Sequence, residues 1–276
     1  MKRARLVLTG HDRDESLLDQ GFALASRWDF CLDALFVRPT AEAAGAYWGD
    51  GFSVYALDSM MASVDRTGAE LALKARDRFE DARTHVSADH AGSFVEFSGL
   101  PREAMAVEGR LSDLLIMAGP GTRDAAAQLN AIETAAMVSG RPVLVLPEAG
   151  ESDRAGRHAG IAWDGSLEVS RAVQGGLGLL KRAERVSLLH AGPEAMDLPT
   201  TDALARYLGA HGLMTEQAEM PPSGVPGQLI PEMARALDVD LLVMGGFGAP
   251  GWQRSLGRDE TTQLLRDAPY AILLAH

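Results

Sequence analysis

Asp240-Leu-Leu-Val-Met-Gly-Gly-Phe-Gly248 is the stretch that decides the fold. Its short, unbroken apolar run suits a strand buried on both faces of a parallel sheet. Glycines then release the chain into a turn, and Pro269-Tyr-Ala-Ile-Leu-Leu274 supplies a second apolar run further on. The same pattern stands earlier. Asp113-Leu-Leu-Ile-Met-Ala-Gly-Pro-Gly121 is followed, after a helix-like stretch, by Arg141-Pro-Val-Leu-Val-Leu146. Self-similarity over so long a period predicts two copies of one unit.

The flanking elements agree. Arg5-Leu-Val-Leu8 matches Ala159-Gly-Ile-Ala162, each leading to a turn that contains an aspartate, Asp12 or Asp164. Phe30–Val37 matches Arg185–His190. The joint, Glu148-Ala-Gly-Glu-Ser-Asp-Arg-Ala-Gly156, is small and polar, the composition of a linker. The predicted domains are therefore 1–148 and 155–276. In the second, strands are expected at His158–Ala162, Arg185–Leu189, Met214–Glu219, Leu241–Met244 and Tyr270–Leu274. Helices are expected at Glu168–Lys181, Thr201–Ala210, Pro226–Leu237 and Asp259–Arg266. Alternating strands and helices argue a doubly wound α/β fold in each copy. A length of 276 residues, 46% hydrophobic and 23% charged, is enough for two cores.

The first copy carries an insertion, Thr40 to about Ser59, ahead of a long helix expected at Ser59–Arg83. Ligands of open α/β sheets sit outside the carboxyl ends of the strands. Tyr47, Trp48, Phe52 and Tyr55 offer that crevice apolar cover, or pack against the other domain.

A net charge of −12 opposes nucleic acid and anionic membranes as partners. The single cysteine, Cys31, lies in an apolar run and reads as a buried core thiol. The start of the chain has too short an apolar stretch for a signal peptide, and no run reaches transmembrane length, so a cytoplasmic location is expected. The seven histidines are scattered without metal-ligand spacing, so no metal site is expected. Ser166 is not in a nucleophile elbow and suits the cap of the next helix, with Glu168 in its first turn.

The segment from Met244 to Gly257 comes off a strand and leads into a helix. Its glycines allow close backbone approach to a ligand, and a helix start offers unpaired N–H groups to an anion. It is neither a Walker A loop nor a dinucleotide fingerprint. The aromatic residues Phe247 and Trp252 could stack on a base or pack on the neighbouring helix.

Ile161-Ala-Trp-Asp-Gly-Ser166, Leu241-Leu-Val-Met-Gly245, the Gly-x-x-Gly at Gly245 and Gly248, and Ala268-Pro-Tyr-Ala-Ile-Leu-Leu-Ala-His276 together resemble a universal stress protein domain. The likeness covers the whole second half, and the first half in outline, so the chain resembles a tandem member. That resemblance implies two Rossmann-like doubly wound domains, each with a five-stranded parallel sheet. It also implies adenine nucleotide, ATP above all, near Asp164, Met244, Gly245 and Gly248. The family pattern then places a Gly-Ser/Thr pair, where this chain has Gly257-Arg258-Asp259. Arg258 attracts a triphosphate and Asp259 repels one. The first half departs further, with Gly10-His-Asp12 for Asp-Gly-Ser and Ala118-Gly-Pro-Gly-Thr-Arg-Asp124 for the glycine loop.

Three functions stay open at this point. One is a stress-response protein acting by ligand binding or protein interaction, without catalytic residues. The others are a weak ATPase or phosphoryl-transfer enzyme and a purely structural pseudo-dimer. The family commonly dimerises through its last strand, so Val143–Leu146 and Ile272–Leu274 could pair within one chain or between two in a homodimer.

Overall fold

A computed structural model of the chain describes residues 1–38, 40, 54–121, 125–147, 155–190, 196–219, 226–247 and 258–276. They form two compact units, Lys2–Ile116 and Met117–His276, the latter with Met1.

In the first, β1 (Arg3–Leu8), α1 (Arg13–Trp28), β2 (Cys31–Arg38), α2 (Val54–Arg83), β3 (Ala91–Ser98), α3 (Pro101–Val107) and β4 (Leu114–Ala118) alternate. The strands lie in the order β3-β2-β1-β4, all parallel. The second unit holds α4 (Ala125–Ser139), β5 (Val143–Leu146), β6 (His158–Ala162), α5 (Leu167–Leu180), β7 (Arg185–His190) and α6 (Thr201–Ala210). It continues through β8 (Glu216–Glu219), α7 (Pro226–Ala236), β9 (Leu241–Gly245), α8 (Arg258–Asp267) and β10 (Ala271–Ala275). Its strand order is β5-β10-β9-β6-β7-β8. Five of these strands are mutually parallel; β5 joins β10 antiparallel, Val143 opposite Leu274. The fold is α/β with a mostly parallel sheet, and the two apolar runs predicted to pair do so within the chain.

Leu241, Leu242 and Val243 are completely buried, as an unbroken apolar strand between two helical layers requires. The repeated aspartate ahead of that strand has its own task. Asp240 accepts hydrogen bonds from the amides of Gly156 (2.7 Å), Arg157 (3.2 Å) and His158 (3.1 Å), at the start of β6. Its own amide donates to the His158 carbonyl at 3.0 Å. Asp113 does the same for β1: the amides of Lys2 and Arg3 donate to it at 2.5 and 3.1 Å, and its amide donates to the Arg3 carbonyl at 2.8 Å. One carboxylate in each copy therefore sets the register of the two central strands. That register shifts the repeat alignment by one. Ala4 opposes Leu114 as Ala159 opposes Leu241, so Ala4–Val7, not Arg5–Leu8, match Ala159–Ala162.

Other expectations are adjusted by local closure. β8 begins at Glu216, not Met214, because Gly212 (φ 82°) and the Leu213 amide bonded to the Leu208 carbonyl still belong to the end of α6. Met214 is left exposed. The helix expected from Ser59 begins at Val54, so Tyr55 falls in its first turn; Tyr47, Trp48 and Phe52 lie outside the described residues. Cys31 is half-buried rather than buried, and burial, then the nearby Asp33, push its thiol pKa up, which disfavours the reactive thiolate.

Replacing Asp240 by Ala should lower stability by about 2–4 kcal/mol, since several amides lose a charged acceptor. An unchanged urea midpoint would contradict the register role.

His158 is buried, and its Nε2 shares a hydrogen bond with the Ser187 hydroxyl at 2.8 Å. Burial first, and the charge of Arg185 second, hold its pKa below the ordinary value. The unfolded chain therefore takes up a proton that the folded one resists, so stability is full at neutral pH and falls on acidification below about pH 6.5. A pH series of melting curves should show a shallower acid loss for His158→Gln than for the native chain.

Candidate functional site

In the second unit the chain leaves β6 for β7 and β8, then returns across β6 to β9 and β10. The carboxyl ends of β6 and β9 thus flank the point where strand order reverses, the crevice in which open α/β sheets bind ligands. β6 pairs with β9 as far as Ile161 and Val243. Asp164 and Gly245 therefore emerge at neighbouring strand ends.

The turn carrying Asp164 is tightly specified. Gly165 has φ +74°, and a Cβ there would meet Leu198 Cβ at 2.9 Å and the Pro199 carbonyl at 3.0 Å. No other residue tolerates both the left-handed backbone and that contact. Ser166 caps α5, its hydroxyl accepting from the Val169 amide at 3.4 Å. The Trp163 indole N–H donates to the Pro199 carbonyl at 2.9 Å.

Asp164 uses one carboxylate oxygen within the turn, accepting from the Ser166 amide at 2.9 Å. Its other oxygen is buried with no partner among the described residues. Burial is the main cause that raises its pKa, opposed by the bonds to Ser166. A buried acceptor left open costs stability, and such groups collect at functional sites. His190, at the end of β7, adds a second. Its Nδ1 lies 3.4 Å from the Trp163 carbonyl, and its Nε2 is buried without a partner among the described residues. Sequence spacing could not single out His190, because its relevance comes from strand order.

Met244 is 1% exposed within β9, and Gly245 ends that strand opposite Ala275. Phe247 follows with φ 58°, an uncommon conformation for a residue other than glycine. Gly248, Trp252 and Gly257 lie outside the described residues; Arg258 opens α8.

The first copy treats the equivalent turn differently. The strand register places Thr9 and Gly10 where the second copy has Asp164 and Gly165, and Gly10 has the matching φ of 80°. Asp12, matched to Asp164 by residue type alone, lies three residues further on, paired with Arg78 at 2.9 Å. Asp14 fills the turn. Buried to 1% exposure, it accepts from the Thr9 amide (3.0 Å), the Thr9 hydroxyl (3.0 Å) and the Gly10 amide (2.6 Å). Leu71 of α2 stands where a Gly10 side chain would be, 2.7 Å from the Cβ position. The amides that a ligand would need are already taken.

No protein-family model matches the sequence, and no curated protein matches it. Solved structures do. A universal stress protein from Archaeoglobus fulgidus DSM 4304 is similar over 99% of this chain and 95% of that one, at a TM-score of 0.69 and 14% identity. The chain has the universal stress protein fold. A candidate universal stress protein from Pseudomonas aeruginosa UCBPP-PA14 is similar at a TM-score of 0.53 and 14% identity, over 100% of this chain and 93% of that one. This chain is also similar to the cytoplasmic domain of a prokaryotic cation chloride cotransporter, at a TM-score of 0.54 and 11% identity, over 99% of this chain and 95% of that one. Fold alone therefore leaves the function to be argued from the site. No helix among the described residues is long and apolar enough to cross a membrane.

Asp164 yields a stability test. A carboxyl whose folded pKa is raised makes the folded state lose stability as pH rises above the unfolded value of 3.8, and the loss persists at neutral pH. Asp164→Asn keeps the bond from Ser166 and carries no charge. Its melting temperature should exceed that of the native chain at pH 7.5, with the gap closing toward pH 4.

Proposed function

We propose that the chain is a cytoplasmic tandem universal stress protein that acts by binding a small ligand, an adenine nucleotide, in its second half. Its two copies span 1–148 and 155–276. The observation that carries the reading is the open, buried oxygen of Asp164 at the switch point between β6 and β9. A carboxylate so placed accepts hydroxyl or amine donors, which the ribose and the adenine of a nucleotide both offer. Met244 and Gly245 would line the opposite side, and Gly248, Gly257 and Arg258 are the residues assigned to the phosphates. The negative net charge does not oppose this, because backbone amides at a helix start bind anions locally. The first copy, its turn closed by Asp14, serves as a structural partner. No catalytic residue is assigned.

Isothermal titration with ATP, ADP and AMP tests the reading. One nucleotide should bind per chain, and Asp164→Asn should weaken it at least tenfold. Absence of heat with all three would end the nucleotide assignment.

A further inference from the structure

We propose that the cleft between α5 and α6 is a second ligand site, one that takes a small uncharged aromatic molecule. It lies in the same unit as Asp164 but opens between the two helices and does not use that carboxylate.

The cleft has a volume of about 200 Å³. An apolar cavity of about 150 Å³ already accepts benzene, so this one has room for a ring with a substituent or a second fused ring. Its apolar surface comes from Trp163, Val173, Pro199, Ala203 and Leu204, of which Trp163, Val173 and Leu204 are almost completely buried. Among the described residues no charged side chain lines it, so these walls offer a charged ligand no partner for the hydration it would lose. Two polar groups stand at its exposed rim, the Gln174 amide and the Tyr207 phenol. Ser170 also lines it, but its hydroxyl is committed to the Ser166 carbonyl at 2.8 Å.

One aromatic wall is held in place and the other stands at the surface. Trp163 is fixed by its bond to the Pro199 carbonyl, and Tyr207 packs edge-on against His211 at 4.7 Å between ring centres. A fixed indole, a phenol ring and aliphatic surface favour a flat aromatic guest, which gains offset or edge contacts with each ring. The rim amide and phenol suit one hydroxyl or ring N–H on that guest. Phenol and indole have both properties.

Saturation-transfer NMR on the full chain, with phenol, indole and the charged benzoate as probes, tests the assignment. Phenol and indole should receive saturation, and benzoate should not. Ala203→Phe, which fills the cleft, should abolish transfer to indole. Tyr207→Ala, at an exposed position that leaves the core intact, should weaken indole at least tenfold. Saturating ATP should leave the indole signal in place, which separates this site from that of Asp164. Silence from both neutral probes, transfer that survives Ala203→Phe, unchanged affinity in Tyr207→Ala, displacement by ATP, or equal binding of benzoate would each overturn the proposal.

Discussion

The bond network of one aspartate per copy underlies everything that follows. Parallel strands cannot be joined by a tight hairpin, so their register must be fixed by contacts made after long crossovers. Asp240 provides such a contact by binding the amides of residues 156–158 and returning its own amide to the His158 carbonyl. A one-residue slip would turn every side chain of β6 to the wrong face. It would also move Asp164 away from the end of β9. Asp113 holds β1 in the same way. The position of the candidate site is thus set at the amino ends of the strands, although the site lies at their carboxyl ends.

From that shared frame the copies diverge at one turn. In the first, a carboxylate from α1 satisfies the Thr9 and Gly10 amides, so the turn is closed by its own side chain. In the second, the carboxylate sits in the turn itself, and one of its oxygens finds nothing among the described residues. Closing a turn internally favours stability, whereas leaving a buried acceptor open sacrifices it. Duplication allows both, since one copy can keep a closed turn while the other keeps an open one.

Legibility in the sequence follows the physics of burial. Completely buried strands such as His158–Ala162 read clearly, because a short apolar run bounded by turns fits little besides a strand in the core. The polar edge strand Glu216–Glu219 has no such run, so sequence pattern alone sets its start too early, at Met214. Asp164 is legible as a residue after a strand; its match in the first copy is not. Two aspartates align by type, while strand register pairs Asp164 with Thr9, and only hydrogen bonding between strands reveals register. Asp14 and His190 are illegible for a similar reason: each acquires its partners, or its lack of them, from elements brought together by the crossovers. The cleft joins Trp163 to Tyr207, far apart in sequence and adjacent only once α5 and α6 lie side by side.

Both candidate sites depend on a single turn. Trp163 lines the cleft, Asp164 faces the switch point, and Gly165 packs under Leu198 and Pro199 so closely that the turn has no room to shift. The Trp163 indole is tied to the same Pro199 carbonyl that crowds Gly165. A turn braced from both sides transmits a displacement only by moving as a body, and interiors this closely packed resist small continuous shifts. Neither occupant therefore meets a turn that must first be ordered, and the same bracing serves both sides. The glycine at position 165 is what makes this sharing possible, since any side chain there would separate the turn from the segment that braces it.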